Sequence, residues 1–230
     1  MHILVIGAHA GDAEAMAGAT VLQHTILGHT ATLLHLTLGG KGHPTLSEEE
    51  YSQQKQAEAL AAAATLGAEA RFMPYRDGEL LPTEEVKLAV ADVLRGTRPD
   101  YVITHWENSI HKDHTVTHQI VGDALFYAAV RGFAREQPPH SVRGVYYAEN
   151  WEDPFGFQPE VYIDVSSAYD GWREALKCYQ LFRGGVSRFP FLEYYQALAV
   201  IRGAESGFKY AQAYAIPALA RRRRLKTFPL

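Results

Sequence analysis

The chain has 230 residues, 47% hydrophobic and 21% charged, with 26 acidic against 22 basic side chains. That length fits one large domain, able to bury roughly 70% of its extended surface without a structural metal, and its single cysteine, Cys178, excludes an intramolecular disulfide. A net charge of -4 leaves no basic field for nucleic acid, no apolar run is long enough for a membrane span, and no secretory pattern opens the chain, so a cytoplasmic protein is expected.

The run His2-Ile3-Leu4-Val5-Ile6-Gly7 is short, apolar on both faces and β-branched, as a buried parallel strand requires. A helix over Ala15–Leu27 follows and closes at Gly28. Ala31–Thr37 is a second strand, and Leu38–Pro44 a loose Gly-rich loop. Ser47, followed by three glutamates, caps a helix that runs to Gly67. A short strand at Arg71–Met73 leads into the turn Tyr75-Arg76-Asp77-Gly78, and Thr83 caps a third helix. Asp100–Thr104 is a fourth strand, and a helix spans about Thr115–Phe133. After the break at Gln137-Pro138-Pro139 come strands at Val142–Ala148 and Glu160–Val165, then helices at Ser166–Phe182 and Phe191–Arg202.

Alternation of strand and helix predicts an α/β fold: a Rossmann-like, mostly parallel sheet with helices on both faces, extended by C-terminal strands and helices. One domain is expected, with residues 1–135 as its core and 136–230 as an extension or cap. The common strand order 3-2-1-4 places the first strand beside the fourth. Arg221–Arg224 reads as a solvated tail or subunit contact.

Two loops then carry the chemistry: Gly7-Ala8-His9-Ala10-Gly11-Asp12-Ala13-Glu14 after the first strand, and His105-Trp106-Glu107-Asn108-Ser109-Ile110-His111-Lys112-Asp113-His114 after the fourth. Open α/β sheets bind ligands at the carboxyl ends of their strands, where the strand order reverses. His9 and Asp12 from one loop can converge with His111, Asp113 and His114 from the other. That offers two imidazoles and a carboxylate for a borderline cation such as zinc, or another divalent transition metal, and leaves a spare histidine and carboxylate for proton traffic. A dinucleotide fingerprint is not met, because His9 stands where its second glycine belongs and Thr37 ends the second strand without a ribose-binding acid. His2, His24, His29, His35, His43 and His140 carry no such pattern.

At these residues the sequence resembles the PIG-L/LmbE-like zinc-dependent N-acetylglucosaminide deacetylases. Ala8-His9-Ala10-Gly11-Asp12-Ala13-Glu14 and His111-Lys112-Asp113-His114 match that family's two metal motifs. Thr37–Gly42, Glu58–Gly67, Tyr75–Leu80 and Tyr210–Tyr214 match further segments, so the likeness covers nearly the whole chain. The resemblance implies that His9, Asp12 and His114 hold zinc and that His111 protonates the amine or stabilises the oxyanion. It also implies that Asp113 orients His111 or His114, and that Tyr195 polarises the carbonyl. Lys55 stands where the family has an arginine, and with Arg76 is expected to meet the substrate. Trp106, Tyr75 and Trp151 are further candidates for the pocket wall.

One departure matters most. The family's general base is an aspartate at the position of Gly11, which has no side chain to take a proton. Loss of a positioned base costs about 10²–10⁴-fold in rate. The expectation is therefore a metal-dependent hydrolase that deacetylates an N-acetylated amino sugar conjugate or related small amide, with Asp113 or Glu14 as substitute base, acting as a homo-oligomer. The alternative is a metal- or sugar-binding relative with lost or altered catalysis.

Overall fold

In the computed structural model, which describes residues 1–153 and 155–221, strand β1 (His2–His9) is an interior strand, third in a seven-stranded sheet. Its side chains divide by the two-residue period of a strand. Ile3 and Val5 enter one apolar cluster, and Leu4 and Ile6 enter the other. Strands β2 (Thr30–Thr37) and β4 (Tyr101–His105) divide the same way, with Leu33 and Ile103 on one side and Leu34 and Val102 on the other.

The first cluster is closed by helices α1 (Asp12–Ile26), α2 (Glu48–Thr65), α5 (Tyr169–Leu176) and α7 (Phe191–Ser206). The second is closed by α3 (Glu84–Thr97) and α4 (Lys112–Ala129). With β3 (Glu69–Tyr75), β5 (Gly144–Ala148), β6 (Val161–Asp164) and β7 (Ala211–Ala215), the sheet order is β3-β2-β1-β4-β5-β7-β6. The first five strands run parallel, and the expected order 3-2-1-4 holds. Helices thus cover both faces of a mostly parallel sheet.

The far edge differs from the sequence reading. Tyr210–Tyr214, matched only as a terminal motif, contributes β7, which runs antiparallel between β5 and β6. Its pairing with Asp164 and Ala148 separates two strands that follow one another along the chain. The helix expected over Ser166–Phe182 is broken: α5 ends at Leu176 and a short α6 (Gln180–Arg183) restarts beyond Tyr179. There the Tyr179 side chain is fully buried and its hydroxyl reaches Glu14, 2.8 Å away, a contact no continuous periodicity encodes. Among the described residues no helix is long and apolar enough to cross a membrane. Residues 222–224 of the arginine run lie outside the described residues, while Arg221 pairs with Glu160 at 2.7 Å.

Candidate functional site

Strand β1 ends at His9, and α1 begins only three residues later at Asp12. Strand β4 lies directly beside β1 and ends at His105, and α4 begins at Lys112 with His111 as its N-cap. Both loops therefore open at the same carboxyl edge of the sheet, and His114 sits in the first turn of α4. His9 Nδ1, Asp12 Oδ2 and His114 Nε2 meet there, separated by 3.1, 3.2 and 3.3 Å. A tetrahedral cation with bonds of about 2.0 Å needs donors about 3.3 Å apart, so the three atoms already form one face of such a tetrahedron. All three residues line a cavity of about 230 Å³.

The other ring nitrogens of both histidines have carboxylate partners, the arrangement that fixes the tautomer and orientation of a metal-binding imidazole. His9 Nε2 lies 3.3 Å from Asp77 Oδ1 and 3.4 Å from Asp113 Oδ2, and Asp113 accepts a further bond from the Gly78 amide at 2.7 Å. His114 Nδ1 lies 3.1 Å from Glu152 Oε2. Behind Asp12, buried His105 comes within 3.4 Å of its carboxylate and stacks on the His114 ring.

Charge at this corner is strongly coupled. Burial holds the His114 ring down to about 3, helped by the neighbouring His105, so it stays neutral and able to bind a cation. Burial works the same way on His9, but the Asp12 carboxylate and the bonds to Asp113 and Asp77 outweigh it and raise the ring well above its usual value. Asp77 falls to about 2 against the effect of burial, because His9 bonds to it. Glu152 rises to about 7, from burial first and the Asp12 charge second.

Aromatic rings of Trp151, Phe182, Phe191 and Tyr195 form one wall of the cavity, and His111 stands near its metal corner, its ring centre 4.6 Å from that of His9. His111 Nδ1 accepts the Asp113 amide at 3.2 Å as the helix cap. Burial, with the His9 charge, also lowers its pKa, so at neutral pH the ring is neutral with its proton on Nε2. On another side stand Gly11, Gly39 and Lys55. Gly11 has φ +106°, which L side chains rarely adopt, and a Cβ there would face Phe182, Tyr179 and, at 4.0 Å, Lys55 Nζ. Gly39 has φ +72°, and a Cβ there would come within 3.1 Å of Lys55 Nζ and 3.2 Å of His9 Cβ, so only glycine lets these groups approach.

Of the residues singled out from sequence, His9, Asp12, His114, His111, Lys55 and Tyr195 all line this cavity. Tyr195 is buried, and its hydroxyl donates to Asn150 Oδ1 at 2.7 Å, so its proton is already engaged. Arg76 is not brought in: it is exposed and paired with Glu48 and Glu79, because the turn carrying it points that side chain to solvent. Asp113 turns its carboxylate to His9 instead of the His111 or His114 ring. Neither substitute base faces the cavity, since Glu14 is fully buried on the Gly11 amide and the Tyr179 hydroxyl. Sequence reasoning passed over His105, Asp77 and Glu152. The first two lay inside motifs already quoted, whereas nothing in the aromatic loop around Glu152 marked it.

Fold and site together define an α/β protein with a donor cluster for a divalent cation at the carboxyl edge of its sheet. A family model described as PIG-L, GlcNAc-PI de-N-acetylase, matches residues 4–125, just over half of the chain, and the chain belongs to that family. Among curated relatives, a 4-oxalmesaconate hydratase of Pseudomonas putida is 24% identical over 212 residues, 88% of this chain and 80% of the relative. A diacetylchitobiose deacetylase of Thermococcus kodakarensis is 25% identical over 229 residues, 91% of this chain and 80% of the relative. Among solved structures, the 4-carboxy-2-hydroxymuconate hydratase of Pseudomonas putida superposes with a TM-score of 0.86 at 21% identity, covering 100% of this chain and 99% of its own. The relatives thus divide between deacetylases and hydratases.

Proposed function

We propose that the chain is a metal-dependent enzyme that directs water onto a small polar substrate, with deacetylation of an N-acetylated amino sugar or related small amide as its leading reaction. The observation that carries this reading is the set of three donor atoms, 3.1–3.3 Å apart, at the edge of a cavity. His9, Asp12 and His114 would hold the cation, zinc or another divalent transition metal, and it would supply Lewis acidity toward water and the substrate oxygen.

The chain's own residues do the rest. Asp77 and Asp113 stand 3.3 and 3.4 Å from His9 Nε2, and Glu152 stands 3.1 Å from His114 Nδ1, so carboxylates back both rings on the side away from the donor cluster. His111 offers its Nε2–H to the oxygen that gains charge, or to the departing amine. The aromatic wall excludes water from the apolar face of a sugar ring or acyl group.

A second reading, hydration of an unsaturated carboxylic acid, is favoured by the Gly11–Lys55 side of the cavity. Where the deacetylases have an acid, this chain has a glycine facing an ammonium. One experiment separates the two. Metal content is measured, then acetate release from N-acetylglucosaminides and loss of ultraviolet absorbance from unsaturated di- and tricarboxylic acids, each with and without chelator. The expected outcome is about one ion per chain, chelator-sensitive turnover in one arm, and a loss of about 10³-fold or more in His114→Ala. Turnover indifferent to both chelator and His114→Ala overturns the reading.

A further inference from the structure

Lys55 lies on the buried stripe of α2, four residues after Tyr51 and four before Ala59, and is only 5% exposed. Its opening is into the cavity that holds the metal corner. Among the described residues, Nζ makes no ion pair within 4.0 Å and no hydrogen bond. It merely overlooks the Tyr51 and Tyr179 rings at 5.7 and 6.0 Å. A buried ammonium without a partner costs free energy unless something in the site meets it.

No nearby carboxylate comes within 4.0 Å of Nζ among the described residues, and most are engaged elsewhere. Asp12 faces His9 and His114, and Asp77 faces His9 and the Lys41 amide. Glu14 is taken by the Gly11 amide and the Tyr179 hydroxyl, and Glu58 Oε1 by Gln54 and the Gln180 amide, leaving only the buried Glu58 Oε2 without a hydrogen-bond partner. Between Nζ and the metal corner stands Gly11, whose missing side chain leaves the space beside the ammonium open. Among the described residues, Lys55 is the one lysine or arginine lining the cavity, and Asp12, Asp77 and Glu152 line it too. A single ammonium in a cavity that also holds acids suits a monoanionic, planar carboxylate better than a phosphate dianion.

We propose that Lys55 anchors a carboxylate of the substrate in the space that Gly11 leaves open beside the metal-binding corner. The inference rests on the proposed metal-dependent reading for where the reacting bond lies. It names the substrate class: an acid whose carboxylate lies a few bonds from the group that is attacked, an acidic N-acetyl sugar or an unsaturated acid. The substrate then brings the negative charge that the chain no longer carries at position 11.

Calorimetry with two matched probe pairs tests it: N-acetylmuramate against N-acetylglucosamine, and mesaconate against dimethyl mesaconate. Each is titrated into zinc-loaded and metal-free wild type, Lys55→Met and Lys55→Gln, with circular dichroism to show that the variants are folded. In wild type the acid of at least one pair binds about tenfold or more tighter than its neutral partner, and in both variants that preference falls below about threefold. A preference that survives both substitutions, or none in wild type, overturns the inference. Failure to bind zinc with the Lys55-dependent preference intact in metal-free protein sinks the metal reading alone. The pair that responds identifies which kind of acid the site takes.

Discussion

The two ends of this cavity are built on opposite plans. At the metal corner, every imidazole meets more than one carboxylate or ring: His9 faces Asp12, Asp77 and Asp113, and His114 faces Asp12, Glu152 and His105. At the other end, Lys55 has no partner among the described residues, and two glycines with positive φ keep the space around it clear. An over-supplied corner is what holding a cation demands, because ligand atoms must be fixed before it arrives. An under-supplied corner leaves its strongest interaction for the ligand. The difference teaches that one end of the cavity is already filled with mutually supporting groups, while the other leaves a buried charge open to a ligand.

The comparison is sharpened first at Glu152. Glu152→Ala removes the carboxylate 3.1 Å from His114 Nδ1, and if the proposed cation binds, its affinity measured by chelator competition should fall about 10–100-fold. Glu152→Gln, which keeps an acceptor, should recover part of it. Unchanged affinity in Glu152→Ala would show that His114 needs no outside support.

A smaller effect is expected at Asp153, whose carboxyl is held up at about 6 mainly by burial. In the unfolded chain this group loses its proton near 3.8, so between about pH 4 and 6 the folded state binds more protons. Stability therefore declines as pH rises through that window, by about 2 kcal/mol, and Asp153→Asn should flatten the decline. Denaturant midpoints from pH 4 to 8 read this directly, and an equally sloped profile in the variant counts against it. The smallest effect belongs to Arg76, exposed and salt-bridged outside the cavity. Arg76→Ala should leave kcat/KM within about twofold and stability within about 0.5 kcal/mol.

The apolar strands and capped helices of the parallel half were legible because their periods are local. Leu4 and Ile6 against Ile3 and Val5 state the two faces of β1 before any partner is known. The donor set was legible for a related reason: both loops follow buried strands, and the rule for carboxyl ends brings them together. Lys55 carried a signal as well, a charge at helical spacing between two buried residues. What failed was distance information. Asp113 sits two residues from His111 and next to His114 in sequence, yet its carboxylate turns to His9, since side chains one or two apart on a helix point away from each other. Restoring an acid with Gly11→Asp also looks simple from sequence, but φ +106° makes it strained whatever the space around it.

By itself the sequence determined the alternation of strand and helix, the neighbours of β1, and which imidazoles and carboxylate stand at its carboxyl edge. Patterning and chain order suffice for these, because each follows from burial periodicity and crossover handedness. Only the tertiary structure decided that β7 inserts antiparallel between β5 and β6, that Glu152 backs His114, and that Lys55 faces the vacancy at Gly11. Those depend on contacts between residues far apart along the chain, whose partners are chosen by the space left after the helices pack.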